Sequence, residues 1–490
     1  MGLCTEIIVN GGPGHVAVSA PNVRHARAYK VRARYDAAQT TDNNSRHWAH
    51  ADSLSPNGAA SPAVRQILRN RARYEVANNT YAAGIVKTLA NDTVGTGPRL
   101  QLLTGQPHMN RQVERLFMEW AAEIGLAEKL RTMCAARVRD GEGIGVIAGN
   151  EGLHAPVKLD LRLVEAEMLA SPWCSEEVRE ADGIEFDSFG NPRIYYIAKN
   201  HPGDKAVVSR DDFERVSPAA LTHWFHADRP GQRRGVPELT PALPLFSQLR
   251  RYTLASLTAA ETAANQSLTL ETDAPAEDEA APEMMDVVNL ERGMATVLPS
   301  GYKLGQTRPE HPTTMYGDFK NELLREIARC VNMPFNIAAG NSAGYNYASG
   351  RLDHQTYFKS LRVDRSMMEQ VVLDKIFLAW VNQAVLIEGF LPQQFREIGA
   401  KMPHRWFWDG HEHVDPQKEA KAQAIRLESM ATSLAMEYAR VGLDWEEQLE
   451  QIARERSKMK QLGLAASSSS GTAEPAAVTV DDDDQDEDEE

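Results

Sequence analysis

The spacing of the apolar residues changes twice along this chain of 490 residues, and this limits the folds open to it. From Ser61 to about Ala136 the apolar positions follow a helical period, typical of amphipathic helices. From Ile144 to Ala227 apolar and polar residues alternate, which indicates strands, and after Pro244 the helical period returns. Helical segments on either side of a strand-rich one predict an α+β fold, and the length predicts two to four domains.

The first helical segment carries its own start and stop signals. Ser61 can cap a helix and Pro62 suits its first turn, whereas the pair Asn78-Asn79 interrupts the pattern. A second helix is predicted from Tyr81 to Asn91, and Gly95 and Gly97 follow it. We expect a third helix over residues 110–136.

The strand-rich segment contains three alternating runs at residues 144–150, 157–169 and 183–200. The sequence Ser188-Phe189-Gly190-Asn191 is a good hairpin turn within the last of them. A further strand is predicted in LTHWFHA, Leu221–Ala227.

The second half of the chain is mostly helical. Its predicted elements are a helix at 245–268, an acidic Ala- and Pro-rich insert at 272–284, short strands within 294–307, a helix at 315–332 and a long helix at 351–386. Two further helices are expected around Gly442, the second capped by Asp444.

One segment between two predicted helices has no hydrophobic period. Residues Pro334–Gly350 read PFNIAAGNSAGYNYASG, without a charged side chain. Glycines give such a segment backbone freedom, and its tyrosines offer aromatic surface with a polar tip. The composition predicts an adaptable loop that contacts something without holding it tightly.

The charge of the chain is concentrated at one end. The formal net charge is −15, and the last ten residues, DDDDQDEDEE, hold nine acids, so the remainder carries −6. A protein that grips nucleic acid through its phosphates is normally basic, so strong DNA binding is not expected. From their composition, residues 1–60 are predicted to be loosely ordered with one short helix, and those after Leu464 to be disordered.

Signatures of enzymes are weak in this sequence. The chain contains no Walker A motif, and the glycines of GEGIGVIAG (Gly141–Gly149) follow a predicted helix, not the strand that a dinucleotide loop requires. No cofactor is therefore predicted. A metal cluster remains an alternative in the part of the sequence that contains His404, Asp409, His411, Glu412, His413 and Asp415, although a solvated turn is favoured. His223 and His226 are interpreted as packing residues.

Two further features bear on location. The four cysteines, Cys4, Cys134, Cys174 and Cys330, lack metal-binding spacing, which favours a reducing environment. No apolar run reaches about 18 residues, so no membrane span is expected.

Five stretches of the sequence, taken in order, resemble the lambda-type portal proteins of tailed bacteriophages. They are LRNRARYEVANNTYAAGIVKTLANDTVGTGPRLQ (68–101), GIEFDSFGNPRIYYIAKNHPGD (183–204), HWFHADRPGQRRGVPELTPAL (223–243), LLREIARCVNMPFNIAAGNSAGYNYASGR (323–351) and WDGHEHVDPQKEAKAQ (408–423). The resemblance spans residues 60–465 and leaves out the first sixty residues, the acidic insert and the acidic tail.

The resemblance implies a portal-type α+β subunit, which has a strand-containing wing, long stem helices, a small clip and a helical crown. The implied divisions are a flexible N-terminal arm (1–60), the wing (61–236), the first stem helix (237–270), the clip (271–314), the second stem helix (315–333), a tunnel loop (334–350), a long helix with a return to the wing (351–414), the crown (415–464) and a disordered acidic tail (465–490).

The resemblance also implies a function, which is not enzymatic. Such subunits form a ring, usually of twelve, at one vertex of the phage capsid, where DNA passes during packaging and ejection. The implied partners are further copies of the chain, double-stranded DNA, the large terminase, capsid and scaffold proteins and head-completion or tail proteins, with no membrane. The implied location is the virion, and the host cytoplasm during assembly.

Within the tunnel loop, six residues are predicted to face DNA: Asn336, Asn341, Tyr345, Asn346, Tyr347 and Arg351. Two alternatives remain open at this stage. One is a metal-dependent nucleic-acid hydrolase of phage or bacterial origin that uses the region from His404 to Asp415, and the other is a non-viral scaffold ring.

Overall fold

The computed structural model describes residues 45–172, 180–204, 210–264, 268–272, 302–306, 315–344, 346–398, 402–410 and 416–464. Residues 1–55 and 56–490 are two separate units. In the smaller unit, residues 45–50 form turns. All elements named below belong to the larger unit.

The larger unit is mostly helical. Its α-helices are α1 (Pro56–Ala59), α2 (Pro62–Asn78), α3 (Thr80–Val94), α4 (Pro107–Glu123), α5 (Leu126–Asp140), α6 (Leu243–Ala264), α7 (Met315–Cys330), α8 (Phe335–Ala339), α9 (Tyr347–Met368), α10 (Asp374–Ala384), α11 (Gln393–Ile398), α12 (Pro416–Glu428), α13 (Leu434–Arg440) and α14 (Trp445–Gln461). None of the helices in the described ranges is long and apolar enough to cross a membrane.

The strands form small antiparallel sheets. They are β1 (Arg99–Leu102), β2 (Gly143–Gly149), β3 (Leu159–Val164), β4 (Glu180–Ala181), β5 (Ile184–Phe186), β6 (Pro192–Ala198), β7 (Phe213–Val216), β8 (Leu221–Trp224), β9 (Leu268–Thr272), β10 (Tyr302–Gln306) and β11 (His404–Phe407). Their orders are β3-β2-β8, β4-β5-β6-β7, β1-β11 and β9-β10. The mixed α+β fold predicted from the sequence is therefore confirmed.

The start of the helical region follows the sequence signals in part: Ser61 and Pro62 begin α2 as predicted, but the Ser61 side chain makes no cap hydrogen bond. Asn79 ends α2 and caps α3, since its side chain accepts from the backbone N–H groups of Tyr81 and Ala82. The prediction of one helix over 110–136 was wrong, because Gly125, at φ 63°, separates α4 from α5. Glycine takes this left-handed conformation without the steric cost of a side chain.

The strand-rich region also matches its pattern. β2 lies between β3 and β8, with Ile144 opposite both Val164 and His223. The predicted turn joins β5 to β6, where the Asp187 carboxylate accepts from the backbone N–H groups of Phe189 and Asn191. Only residues 159–164 of the predicted run 157–169 are a strand, and a short 3-10 turn follows at Ala166–Met168.

Three buried clusters hold these elements together. The first is rich in aromatic residues and joins α4, α5, α10 and β11 around Phe117, Trp380 and Trp406. The second packs α2, α3, α6, α7, α8 and α9 around Phe246, Leu324 and Tyr357. The third lies between the two larger sheets and includes Ile144, Ile184 and Leu221.

A buried ion pair fixes β2 to the segment that follows β8. The guanidinium of Arg234, 2% exposed, donates to both carboxylate oxygens of Glu142 at 2.7 Å and to the carbonyls of Ala166 and Leu169. The Gly235 N–H also donates to Glu142, at 2.6 Å. Burial acts to raise the pKa of Glu142, but the charge of Arg234 together with hydrogen bonds from His223 and Arg234 outweighs burial and holds that pKa well below its usual range.

The predicted helices of the second half are shifted. The helix predicted at 245–268 is α6 and ends at Ala264, before β9 pairs with β10. The acidic insert at 272–284 lies outside the described residues beyond Thr272. The helix predicted at 351–386 starts earlier and is α9, a π turn at Glu369–Leu373 and α10 in succession.

The C-terminal block contains three described helices where two were predicted. Ser433 begins α13, because its hydroxyl accepts from the Met436 N–H. The predicted break at Gly442, φ 74°, and the Asp444 cap of α14 are confirmed. Residues 465–490 lie outside the described part.

Candidate nucleic-acid interface

The predicted loop 334–350 is partly helical. After α7 ends at Cys330, Asn332 takes a left-handed conformation at φ 53°, and Pro334 opens the short helix α8. Proline suits this position because the first turn of a helix has no use for its missing N–H. α8 packs against α3 and α7, and Ala338 is buried.

The described non-helical part is residues 340–344 and 346. Gly340 ends α8 at φ 63°, and Gly344 also takes a left-handed conformation at φ 78°. The side chain of Asn341 accepts from the Ala343 N–H at 2.9 Å, which closes a small turn. The backbone carbonyl of Asn346 accepts from Gly350 at 3.0 Å, so Gly350 lies within α9 and not in a loop as predicted.

The structure separates the six residues predicted to face DNA. Asn341 and Asn346 are exposed within the non-helical part. Asn336 is half-buried in α8, with its amide nitrogen 3.1 Å from Nε2 of His354. Arg351, expected at a helix start, is exposed in the second turn of α9. Tyr345 and the side chain of Tyr347 lie outside the described part.

A polar contact with a buried side chain fastens α9 to α3. The hydroxyl of Tyr357, which is fully buried, donates to Oδ2 of Asp92 on α3 at 2.8 Å. Burial raises the pKa of Asp92 and also that of Tyr357. This bond joins α9 to α3.

α9 carries a basic face that the sequence analysis missed. Arg351, Lys359 and Arg362 are exposed and follow one another at intervals of eight and three residues. These intervals place them on one side of a helix, together with Gln355. The sequence would have shown this spacing if the helix had been predicted to begin before Arg351.

A second charged cluster lies where α5, the segment after β8 and α9 meet. The ring nitrogens of His226 lie 3.2 Å from Oε1 of Glu238 and 3.1 Å from Oδ1 of Asp364. Arg137, 1% exposed, contacts the same two carboxylates at 3.0 and 2.7 Å. Hydrogen bonds to Asp364 and Glu238 raise the pKa of His226 to about 9.

This cluster is suited to fastening elements and not to hydrolysis. Both ring nitrogens of His226 face carboxylates that Arg137 also contacts, and Nη1 of Arg137 lies 2.8 Å from Nε2. The polar atoms of the ring are therefore occupied by protein groups, which leaves none to take a proton from water or a hydroxyl. The interpretation of His226 as a structural residue is thus supported by geometry, and the side chain of His223, which is 5% exposed, lies 3.5 Å from Glu142.

The alternative metal cluster is only partly described. Nδ1 of His404 lies 2.8 Å from the Met402 carbonyl and Nε2 lies 3.2 Å from Asp374. The carboxylate of Asp409 accepts from the hydroxyl and the N–H of Thr96 instead. His411, Glu412, His413 and Asp415 lie outside the described residues.

One other group within the described ranges has metal-binding proximity, namely Glu165, Glu167 and His201. Arg73 contacts both carboxylates, at 3.3 and 2.9 Å, and Arg69 is 3.6 Å from Glu167. Two guanidinium groups neutralise this cluster, so its charge does not call for a cation.

Comparison with known proteins identifies relatives of the whole chain. The family model described as phage portal protein, lambda family, matches residues 41–365. A probable portal protein of Halomonas phage phiHAP-1 is 24% identical over 461 residues, covering 87% of each chain. The portal protein of Escherichia phage N15 is 21% identical over 454 residues, covering 81% of this chain and 85% of its own.

Solved structures with a similar chain come from gene transfer agent (GTA) particles. A chain in the neck of an empty GTA particle, computed with C6 symmetry, has a TM-score of 0.44 and 16% identity, covering 76% of this chain and 93% of that chain. A chain in the neck of a native GTA particle, computed with C12 symmetry, has a TM-score of 0.43 and 15% identity, covering 78% and 94%.

Proposed function

The chain belongs to the lambda family of phage portal proteins, a non-enzymatic family, and on that premise we propose that it forms a closed ring through which double-stranded DNA passes. The ring occupies one vertex of a phage capsid. It serves packaging and ejection and is the docking site first of the large terminase and later of head-completion or tail proteins.

The observation that carries the DNA-channel role is the uncharged, exposed segment between α8 and α9. No residue from Pro334 to Gly350 is charged, and the described residues 341–344 and 346 are exposed. Asparagine amides exchange hydrogen bonds with passing phosphates, while the absence of a fixed charge avoids the counterion release that makes binding tight. We infer that this segment and Arg351 face the duplex.

The net charge of the chain favours a ring that lets DNA pass over one that binds DNA tightly. Without the nine acids of the last ten residues the formal net charge is −6. A mildly acidic ring repels phosphates over a distance of about 8 Å at physiological ionic strength. Moving DNA is therefore not retained by adsorption to the channel wall.

The ring is tested by negative-stain electron microscopy together with light scattering of the purified protein. We expect annular particles with a central hole and a mass near twelve times 54.3 kDa. A particle of that mass without a hole would contradict the channel, and a monomer across the micromolar range at moderate salt would contradict the ring.

The role of the segment is tested by replacing Tyr345 and Tyr347 with Ala. We expect unchanged ring assembly and lower DNA packaging or retention, because aromatic surface is removed at the proposed contact. The matched control is Phe189→Ala, at a hairpin tip where the side chain is 89% exposed. Packaging that is equal in the two variants would refute the contact.

A further inference from the structure

A groove runs along the basic face of α9, between that helix, β11 with the residues after it, and the end of α13. We call it the α9 groove; it encloses about 1030 Å³. Leu352, 66% exposed, and Phe358 line it toward the start of α9. Lys359 and Arg362 follow along the helix, and Arg440 belongs to the α13 wall.

The cations of the α9 groove are poorly compensated. Lys359 and Arg362 are exposed, and neither forms an ion pair with an acid in the ranges that the structure describes. Arg440 is 57% exposed and lies 3.5 Å from Glu437, whose carboxylate is held by Arg426 at 3.1 Å.

The floor of the groove adds to the positive charge. Arg365 is 8% exposed and donates to the backbone carbonyls of Thr93, Asp92 and Asp409, so no carboxylate bonds to it directly. The carboxylate of Asp409 is bonded to Thr96, and that of Glu369 accepts from Trp408. Burial raises the pKa of Glu369.

We propose that the α9 groove binds the acidic C-terminal segment of this chain, residues 476–490, AAVTVDDDDQDEDEE. The order of residues in the segment matches the order along α9. Val478 and Val480 meet the apolar end at Leu352 and Phe358, and the acids that follow meet Lys359, Arg362 and Arg440. The segment thereby competes with other polyanions for this basic face.

The segment is long enough to reach the groove. Gly442 packs closely on the Trp408 carbonyl in the wall of the groove, and Asp444 caps α14 two residues later. α14 has 17 residues and a length of about 25 Å, so its end lies within roughly 30 Å of the groove. The residues from 465 to 475 span roughly 36 Å when extended, which covers that distance.

Tethering makes this segment a better occupant than free DNA. Exposed ion pairs are individually weak, but a short tether presents its ligand at about millimolar effective concentration. Free duplex DNA lacks that advantage and offers no apolar group to the Leu352 end. The binding is independent of the proposed passage of DNA, since it requires no nucleic acid.

The first test is zero-length carbodiimide cross-linking of the full chain without DNA, followed by mass mapping. The reagent joins carboxylates to lysine amines in contact, and we expect cross-links from residues 481–490 to Lys359. Lys87, exposed on α3, is the reference for chance encounters. Lys359→Arg keeps the charge but has no amine, so this cross-link should disappear while the groove stays intact.

The second test measures binding of a fluorescent AAVTVDDDDQDEDEE peptide to a chain that lacks residues 476–490. We expect Lys359→Glu/Arg362→Glu to weaken binding about tenfold, because each reversal replaces attraction by repulsion. Arg71→Glu/Lys87→Glu makes the same change on exposed residues of α2 and α3 and should leave binding unchanged. Tryptophan fluorescence checks that both variants are folded.

Three results would overturn the proposal. One is cross-linking of residues 481–490 to Lys359 that is no more frequent than their cross-linking to Lys87. Another is equal weakening of peptide binding in the two double variants. The last is duplex DNA binding that depends on Lys359 and Arg362 while peptide binding does not, which would make the groove a DNA site.

Discussion

Two parts of the molecule use glycine in opposite ways. Where β2 meets the segment after β8, a Cβ on Gly235 would lie 2.0 Å from the Gly141 carbonyl oxygen, and the ion pair of Arg234 and Glu142 closes the same contact. In the segment 340–346, a Cβ on Gly340 or Gly344 would meet no atom within 4 Å.

The difference separates a rigid joint from an adaptable segment. At the joint, glycine permits two backbones to touch, and buried charge then locks them in one arrangement. Between α8 and α9, glycine permits left-handed turns and nothing packs on them. The proposed function requires both properties, since the subunit would keep its place in a ring while it contacts a moving duplex.

The largest loss of stability is expected from removing one partner of the buried ion pair at this joint. Glu142→Gln removes the carboxylate that binds the buried Arg234 guanidinium through both oxygens and leaves it only the carboxylate of Asp182, at 3.1 Å. Loss of a buried partner typically costs about 3–5 kcal/mol. Urea unfolding followed by tryptophan fluorescence should show this loss. The exposed Glu151→Gln should change stability by less than about 0.5 kcal/mol, and equal stability of the two variants would mean that the ion pair does not hold the joint.

The glycines themselves provide the most direct contrast. Gly235→Ala forces a Cβ against the Gly141 carbonyl and should cost about 3 kcal/mol. Gly344→Ala meets only the backbone strain of φ 78° and should cost about 1 kcal/mol. Both are measured by the same unfolding experiment. The reverse order of the two costs would invalidate the distinction between joint and segment.

The pH dependence of stability should report the second charged cluster. The pKa of His226 rises from its ordinary 6.5 to about 9 on folding, so its contribution is fully present below pH 6.5 and is lost as pH rises through 9. Melting temperatures should therefore fall between pH 7 and 9.5. His226→Gln should flatten that fall, whereas the exposed His154→Gln should not.

The smallest change in melting temperature is expected from truncation of the C-terminus. Deletion of residues after Ala473 removes a stretch with too few apolar residues to contribute to a core, so the melting temperature should fall only slightly, by the amount that loss of the proposed groove contact causes. A marked drop would show that the stretch stabilises the fold.

Signals between neighbouring residues predicted helix caps and a turn, whereas contacts between distant residues determined where other helices end. The Asn79 and Asp444 caps and the turn at Asp187–Asn191 were predictable because the residues that make them are neighbours. The break at Gly125 was missed because an isolated glycine is tolerated within helices, and only the packing of α4 against α5 requires it there.

The candidate interface shows the same limit. Its glycines and asparagines stood out in the sequence, but the helical turn at Phe335–Ala339 depends on burial of Ala338 against residues far along the chain. The α9 groove could not be predicted either, since Lys359 and Arg440 are 81 residues apart and meet only through packing of β11 and α13.

The π turn at Glu369–Leu373 gives the molecule a mechanical element. From Tyr347 to Ala384 the backbone is one continuous helical segment of roughly 57 Å, which no loop interrupts. Tyr357 and Leu361 anchor this segment in one buried cluster, whereas Met368, Phe377 and Trp380 anchor it in another. We therefore expect a displacement near Gly344 to be transmitted along the helix axis to the aromatic cluster.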